Sequence, residues 1–415
     1  MTMFAKILLA TCLSSAFAVT AVAGPVEDAN AAYERKDYSA AAPFYRVAAE
    51  QGNAKAQFRT GYIALMGAAV ADEAAALKWF RRSAAQHYAP AQTWLGHMYR
   101  LGFGVEQDHS AALKWYLLAA EQGDPEGQAG ASEMYQNGLS VPRNYPEAFR
   151  WRRLVAGRGG AGDQADMGYM YQKGEGTAQD YAEALKWYRL AAAQGNAYAQ
   201  HGIGDMYHAG QGVARNDADA LTWYRLAAAQ GDIRSQNEIG VMYRKGEGVT
   251  RDDAEALKWF RLAAAQGHPP AEYNIGQMYA LGEGVAKDRA EADKWYETAA
   301  TKGNADAQFE VGRKYHIRGD FKNDLVEAFK WYSLAAAQGH TEAQYFVGHL
   351  YLEGQGTSQN YIEAYKFLSL AVHGFADVPL ALPMVTRDRD LAASKLSPAE
   401  LNEAQKLVSD WQPSK

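Results

Sequence analysis

Between residues 196 and 231 the apolar positions fall into two groups at helical spacing. Ala199, Ile203, Met206 and Tyr207 share one face of a first segment, and Ala220, Trp223, Tyr224, Ala227 and Ala228 share one face of a second. Polar and small residues punctuate them. Gly195 suits the left-handed position after a helix end, Asn196 can cap the helix that follows, and Gly210-Gln211-Gly212 breaks the first segment before the second begins. The pattern predicts a pair of short amphipathic helices.

The pair recurs. Trp stands at 79, 115, 151, 187, 223, 259, 295 and 331, always 36 residues apart, and the next step lands on Phe367. The segment ALKWYRLAAAQG at 184–195 returns as ALKWFRLAAAQG at 256–267. A fixed period of this size marks a repeat array. Asp or Asn at 108, 144, 180, 216, 252, 288, 324 and 360 is expected to cap each second helix, with an acid three residues on at 147, 183, 219, 255, 291, 327 and 363. In-register glycines at 96, 168, 204, 240, 276, 312 and 348 predict close helix approach. The Tyr three residues after that register position can pack on the following Trp, which is expected to be a buried stacking residue. One pair cannot bury its apolar face alone; stacked neighbours do so. Some units depart from the pattern. The first lacks the Gly pair at Met66-Gly67-Ala68-Ala69-Val70, the third has Ser132 for Gly, the eighth has Arg318-Gly319-Asp320, and the ninth has Phe367 for Trp.

The composite A-x-x-x-L-G-x-M-Y, G-x-G-V and D-x-x-E-A-L-K-W-Y-x-x-A-A-x-Q-G resembles the Sel-one-like repeat, a relative of the tetratricopeptide repeat. It covers residues 53–375 as nine units. The resemblance implies an all-α fold, an α-solenoid or superhelix of repeated antiparallel helix pairs, acting as a scaffold for other proteins. Residues 24–52 read as an N-terminal capping helical hairpin and 376–415 as C-terminal capping helices. The last of these opens with Ser397-Pro398-Ala399-Glu400. In arrays of this kind the first-helix positions three before, one after and four after the register Gly line the concave groove. Here they are Phe58, Tyr62, His97, Arg100, Tyr169, His201, Asp205, His208, Tyr273, Phe309, Arg313, His316, Tyr345 and His349. Aromatic and Arg side chains are what interface anchors tend to be. The second helices are expected to turn mainly Lys, Arg and Glu outward.

The N-terminus adds a location. Lys6 supplies a positive n-region, Ile7 to Val19 an apolar stretch, and Ala21-Val22-Ala23 an A-x-A site. Residues 1–23 therefore read as a secretory signal cleaved after Ala23, giving a periplasmic or secreted chain with no stable membrane span. Bacterial members of the family are often exported. The single cysteine, Cys12, lies in this segment, and the Thr before it fits a lipoprotein site poorly.

Chemistry narrows the function further. A net charge of −6 argues against a nucleic-acid partner. No cysteine remains after cleavage for a disulfide, a thiolate site or a nucleophile. The Gly pairs lack the Lys of a phosphate loop, and neither H-E-x-x-H nor G-x-S-x-G occurs, so no cofactor is expected. His201, Asp205 and His208 share a helix face at spacing compatible with a metal, although a polar surface is the simpler reading. Arg318-Gly319-Asp320 matches an adhesion tripeptide by a three-residue coincidence. Arg143, Arg150, Arg152, Arg153 and Arg158 cluster in sequence as an outward basic patch, and Gly157 to Gly162 carries enough glycine to suggest a hinge. The expectation is a non-enzymatic scaffold or regulator that binds a protein or peptide in its groove. The alternatives are an exported envelope enzyme, β-lactamase-like or peptidoglycan-active, and a metal- or glycan-binding module. The paired cysteines of the family members linked to β-lactam chemistry are absent here.

Overall fold

The computed structural model describes residues 23–66, 71–318 and 322–414. The expected signal segment with Cys12, the loop at 67–70 and Gly319-Asp320 of the tripeptide lie outside the described residues. Among the described residues there are 22 helices and no strand. Successive helices pack as antiparallel pairs, making an all-α solenoid. The chain divides into two compact units, Met1–Gly202 and Ile203–Lys415. A typical pair in the first is Ala89–Leu101 with His109–Glu121, and in the second Ile233–Lys245 with Asp253–Ala265.

The expected caps close the second helices. The Asp108 carboxylate accepts from the backbone N–H of Ser110 at 2.8 Å and of Ala111 at 2.9 Å, and Asp252 accepts from Glu255 at 2.9 Å. Asn144, Asp180, Asn216, Asp288 and Asn360 cap in the same way. Asp324 does not. The helix Lys322–Ala337 starts two residues before it, so Asp324 lies in the first turn, where its charge still faces the positive helix end. The Gly pair has two separate reasons. Gly246 ends its helix at φ 74°, donating its N–H to the Met242 carbonyl at 2.8 Å. Gly248, at φ 68°, passes so close to the start of the preceding second helix that a Cβ would fall 2.3 Å from the Asp217 carbonyl carbon.

The core differs from the expectation for Trp. Trp223 is half-buried, as are the other phased Trp residues except Trp151, which is 4% exposed. The fully enclosed residue is the one after it: Phe80, Tyr116, Tyr188, Tyr224, Phe260, Tyr296 and Tyr332, with Leu368 in the last full repeat. Neighbours on a helix point about 100° apart, so only one of the two can enter the seam. That ring lies flat on the register Gly. A Cβ on Gly204 would meet the Tyr224 ring at 2.5 Å, and one on Gly240 the Phe260 ring at 2.6 Å. The glycines are therefore seats for a ring.

In the pair Pro125–Asn137 and Tyr145–Ala156 both partners change together. Ser132 replaces the Gly and donates to the Ala148 carbonyl at 2.8 Å, while Arg152 replaces the ring. Arg152 is thus not part of an outward basic patch. Its guanidinium turns toward Asp163 at 2.9 Å and Asp166 at 3.2 Å. The other arginines also disperse. Arg150 pairs with Glu147 at 3.1 Å, and Arg158 donates to the Gly123 carbonyl at 2.6 Å. The glycine-rich stretch at 157–162 lies inside the first unit, and the Gln194 amide donates to the Gly159 carbonyl at 2.9 Å. These contacts make it a braced turn.

A polar ladder recurs along the array, where a buried Gln on the first helix meets a more exposed Gln just past the second. Gln122 donates to Gln92 at 2.6 Å, Gln194 to Gln164 at 2.8 Å, Gln266 to Gln236 at 2.9 Å and Gln338 to Gln308 at 2.8 Å. The inner glutamines reach back to the preceding helix as well, Gln308 to the Ala300 carbonyl at 3.2 Å and Gln344 to Ala336 at 3.3 Å. In one pair the two amides become an ion pair, Glu272 with Lys302. The amide rungs satisfy polar atoms that burial would otherwise strand, whereas the ion pair leaves the Glu272 Oε2 buried without a partner.

Candidate partner-binding faces

The residues expected to line a groove sit on the first helix of each pair, and within each unit neighbouring first helices touch. In the first unit Arg100 meets Glu133 at 3.3 Å, and in the second Asn274 donates to Asn237 at 3.0 Å. At the N-terminal end the helices Ala23–Glu34, Tyr38–Glu50, Ala54–Met66 and Ala89–Leu101, with the turn at 124–126, enclose a cleft of about 500 Å³. Tyr33, Tyr38, Phe58, Tyr62 and Trp94 line it, with Arg59, Lys36, Glu34, Asp124 and Glu126 around them. The rings hold one another. Tyr62 meets Trp94 edge-on at 5.3 Å and Tyr33 meets Tyr38 at 5.4 Å. The Arg59 guanidinium lies over the Tyr33 ring at 3.6 Å and reaches Glu34 at 3.5 Å. Phe58 is mostly buried beneath, against Phe80 and Tyr88. Burial raises the Tyr62 phenol above its ordinary value.

Further along the first unit, His97 is half-buried and its Nδ1 pairs with the Tyr116 hydroxyl at 2.8 Å. Burial, then the Arg100 charge, lowers the His97 pKa, and burial pushes the Tyr116 phenol up to about 12. Tyr169 packs 6.5 Å from Tyr198, and His201 is buried. In the second unit Asp205 accepts from the Tyr224 hydroxyl at 2.7 Å, and His208 pairs with Asp217 at 2.8 Å. Among the described residues no group of three or more His, Cys, Asp or Glu could hold a metal ion.

Tyr273 packs on Tyr296 at 5.6 Å and accepts from Gln277 at 2.7 Å, with its phenol pushed up to about 12 by burial. Arg313 pairs with Glu310 at 2.6 Å. Phe309 stacks on His340 at 4.6 Å, and His316 packs edge-on to Phe346 at 5.4 Å. The Nδ1 of His316 is buried without a hydrogen-bond partner, and burial, then the His349 charge, lowers its pKa. Tyr345 and His349 do not face an open groove. The capping helix Leu382–Ala393 covers them, and its buried Asp388 lies 3.4 Å from the Tyr345 hydroxyl and 3.3 Å from His349.

Two features escaped the sequence reading. Arg244 and Gln277 occupy the same register positions as the chosen residues and, with Val241, Lys245, Arg251, Asn274 and Glu283, line a second cleft of about 570 Å³. The in-phase Arg at Gly+4 was the available signal. The second helices also carry an exposed Leu at the same phase, at 118, 154, 190, 226, 262 and 334, so their outer face is not simply charged. Among the described residues no helix is long and apolar enough to cross a membrane.

The Sel1 repeat pattern matches ten segments: residues 32–53, 54–88, 89–124, 125–153, 163–196, 197–232, 233–268, 269–304, 305–340 and 341–373. The first of these, but for its last residue, lies within the stretch at 24–52 that the sequence reads as a capping hairpin. Among solved structures, the chain is similar to a protective antigen present in uropathogenic Escherichia coli strains that displays an SLR fold. The identity is 31%, over 88% of this chain and 93% of that one, with a TM-score of 0.51. It is also similar to a Sel1 repeat protein from Oxalobacter formigenes, at 33% identity over 55% of this chain and 91% of that one, with a TM-score of 0.50. No curated protein matches the chain.

Proposed function

The chain belongs to the Sel1 repeat family, and on that premise we propose that it is an exported scaffold that binds a protein or peptide on its first-helix faces and performs no catalysis. Repeats of this family are typically protein–protein interaction scaffolds. The observation that carries the reading is the N-terminal cleft, where five aromatic side chains and Arg59 surround about 500 Å³ of open space. Interface anchors are drawn from these residue types.

Capture of a partner from the native envelope by crosslinking gives the ligand for the test. Tyr62→Ala and Tyr273→Ala are expected to weaken it by about tenfold or more, and the outward Arg153→Ala by less than about twofold. The reverse ranking would move the site to the second helices. Export rests on the Lys6, Ile7–Val19 and Ala21-Val22-Ala23 pattern. The mature protein is expected to begin at Gly24. A lipidated start at Cys12, or an intact chain retained in the cytoplasm, would overturn that part.

A further inference from the structure

We propose that the N-terminal cleft takes a proline-rich segment in the polyproline II conformation, flanked by a basic residue; this rests on reading the first-helix faces as partner-binding surfaces. The argument starts from what the cleft has left to give. The hydroxyls of Tyr38 and Tyr62 and the indole N–H of Trp94 make no hydrogen bond among the described residues. All of these can donate. The walls are helices, whose carbonyls are mostly closed within the helix. Besides the two phenol oxygens, which accept as well as donate, the acceptors are carboxylates, and Asp124 is already committed to the Thr93 hydroxyl at 2.8 Å and the Gly127 N–H at 2.7 Å.

A cleft with donors, ring faces and few neutral acceptors selects a ligand with the opposite inventory. Ordinary backbone brings an N–H for every carbonyl, and beyond the two phenol oxygens those N–H groups would meet no neutral acceptor. Proline keeps the carbonyl and has no N–H, and its ring presents a flat apolar face to an aromatic. A proline-rich segment also holds its extended left-handed conformation before binding, so little order is lost on docking, and aromatic-lined grooves are a recurrent receptor for it. One turn of polyproline II spans about 9 Å, which a cleft of this size accommodates. The carboxylates of Glu34, Asp124 and Glu126 outnumber the cations of Lys36 and Arg59, and this excess selects a basic flank.

The test is fluorescence anisotropy with the full chain and short labelled peptides: an Arg-flanked proline-rich peptide, its Pro→Ala counterpart and its Glu-flanked counterpart. A peptidoglycan-type oligosaccharide serves as unlabelled competitor. The Arg-flanked peptide is expected to bind, with the Pro→Ala peptide about tenfold weaker or more and the Glu-flanked one about fivefold weaker. Trp94→Phe, which keeps a ring and loses the N–H, is expected to weaken the first peptide about threefold, and Trp94→Ala about tenfold or more, each with an unchanged helical circular dichroism signal. Equal binding of the Pro→Ala peptide, no binding of the Arg-flanked peptide, indifference to both Trp94 changes, or displacement by the oligosaccharide alone would overturn the proposal. If the peptide fails while Tyr62→Ala still releases the captured native partner, only the ligand class falls. If neither responds, the reading of the faces falls with it.

Discussion

The pair Ile233–Lys245 with Asp253–Ala265 and the pair Pro125–Asn137 with Tyr145–Ala156 solve one packing problem in two ways. The first closes with Phe260 flat on Gly240; the second closes with Ser132 bonded to a backbone carbonyl and Arg152 aimed at two aspartates. The seam at Phe260 is apolar. The Arg seam keeps 13% of the guanidinium side chain exposed and leaves its Nε buried without a partner, as it does the Nε1 of Trp151. The fold therefore tolerates the loss of the ring, with Ser132 in place of the Gly in one pair and with Leu368 against an unchanged Gly348 in the last full repeat. The contact, and not either residue, is the conserved physical unit from pair to pair.

Four changes would break or sharpen this contrast. Phe260→Ala should cost the most, about 3–5 kcal/mol, because it empties an enclosed seam. Hydrogen exchange should show the loss concentrated around 233–265. Next, Gly204→Ala should cost about 1–3 kcal/mol by overpacking against Tyr224, whereas Ser132→Ala should cost only about 1 kcal/mol, having a hydrogen bond and no ring to lose. Urea melts of the two variants would blur the comparison if they matched. Arg152→Met should fall near ~1 kcal/mol of either sign, since it removes a cation whose acids are partly exposed while adding apolar volume.

The smallest effect concerns charge beside a ring seam. Arg215, and to a lesser degree His208, holds the Asp217 carboxyl below the usual range. A depressed folded-state pKa contributes stability above the unfolded value, about 3.9, that is lost as the pH falls through the folded one. Thermal melts from about pH 5 down to about pH 2 should therefore lose less stability in Asp217→Asn than in the parent. A parent whose melting temperature follows the variant's across that window would remove Asp217 from the account.

The period, the helix pairs and the caps were legible because each is a local signal: a Gly where φ must be positive, an Asp or Asn where backbone N–H groups lack partners. Trp223 and Tyr224 show where local signals stop. Both are apolar and adjacent, and helical phase alone did not say which one enters the seam. The matched change of Gly with Tyr or Phe to Ser132 with Arg152 carried that information at a separation no helical pattern covers. The glutamine ladder was visible as an in-phase Gln in each turn, yet nothing local said that its partner would be a buried Gln of the first helix about 30 residues back. For Tyr345 and His349 the repeat phase placed the residues correctly. Their cover, the helix Leu382–Ala393, lies beyond the period and was not foreseeable from it.

The glutamine ladder has a consequence for how such a chain can change length. Its partners lie in the same repeat, Gln92 with Gln122 and Glu272 with Lys302, and so do Gly204 and Tyr224. Bonds that leave a repeat along this ladder end on alanine carbonyls, which every repeat supplies alike. A recombination event that inserts or removes one whole repeat therefore carries these matched pairs with it, and the contacts it disturbs are the side-chain pairs that cross between repeats, such as Arg100 with Glu133 and Arg152 with Asp163. A crossover between the two helices of a repeat would instead bury the Glu272 carboxylate against an amide, or set a ring against Ser132. Whole repeats are the exchangeable parts of this chain, and half repeats are not.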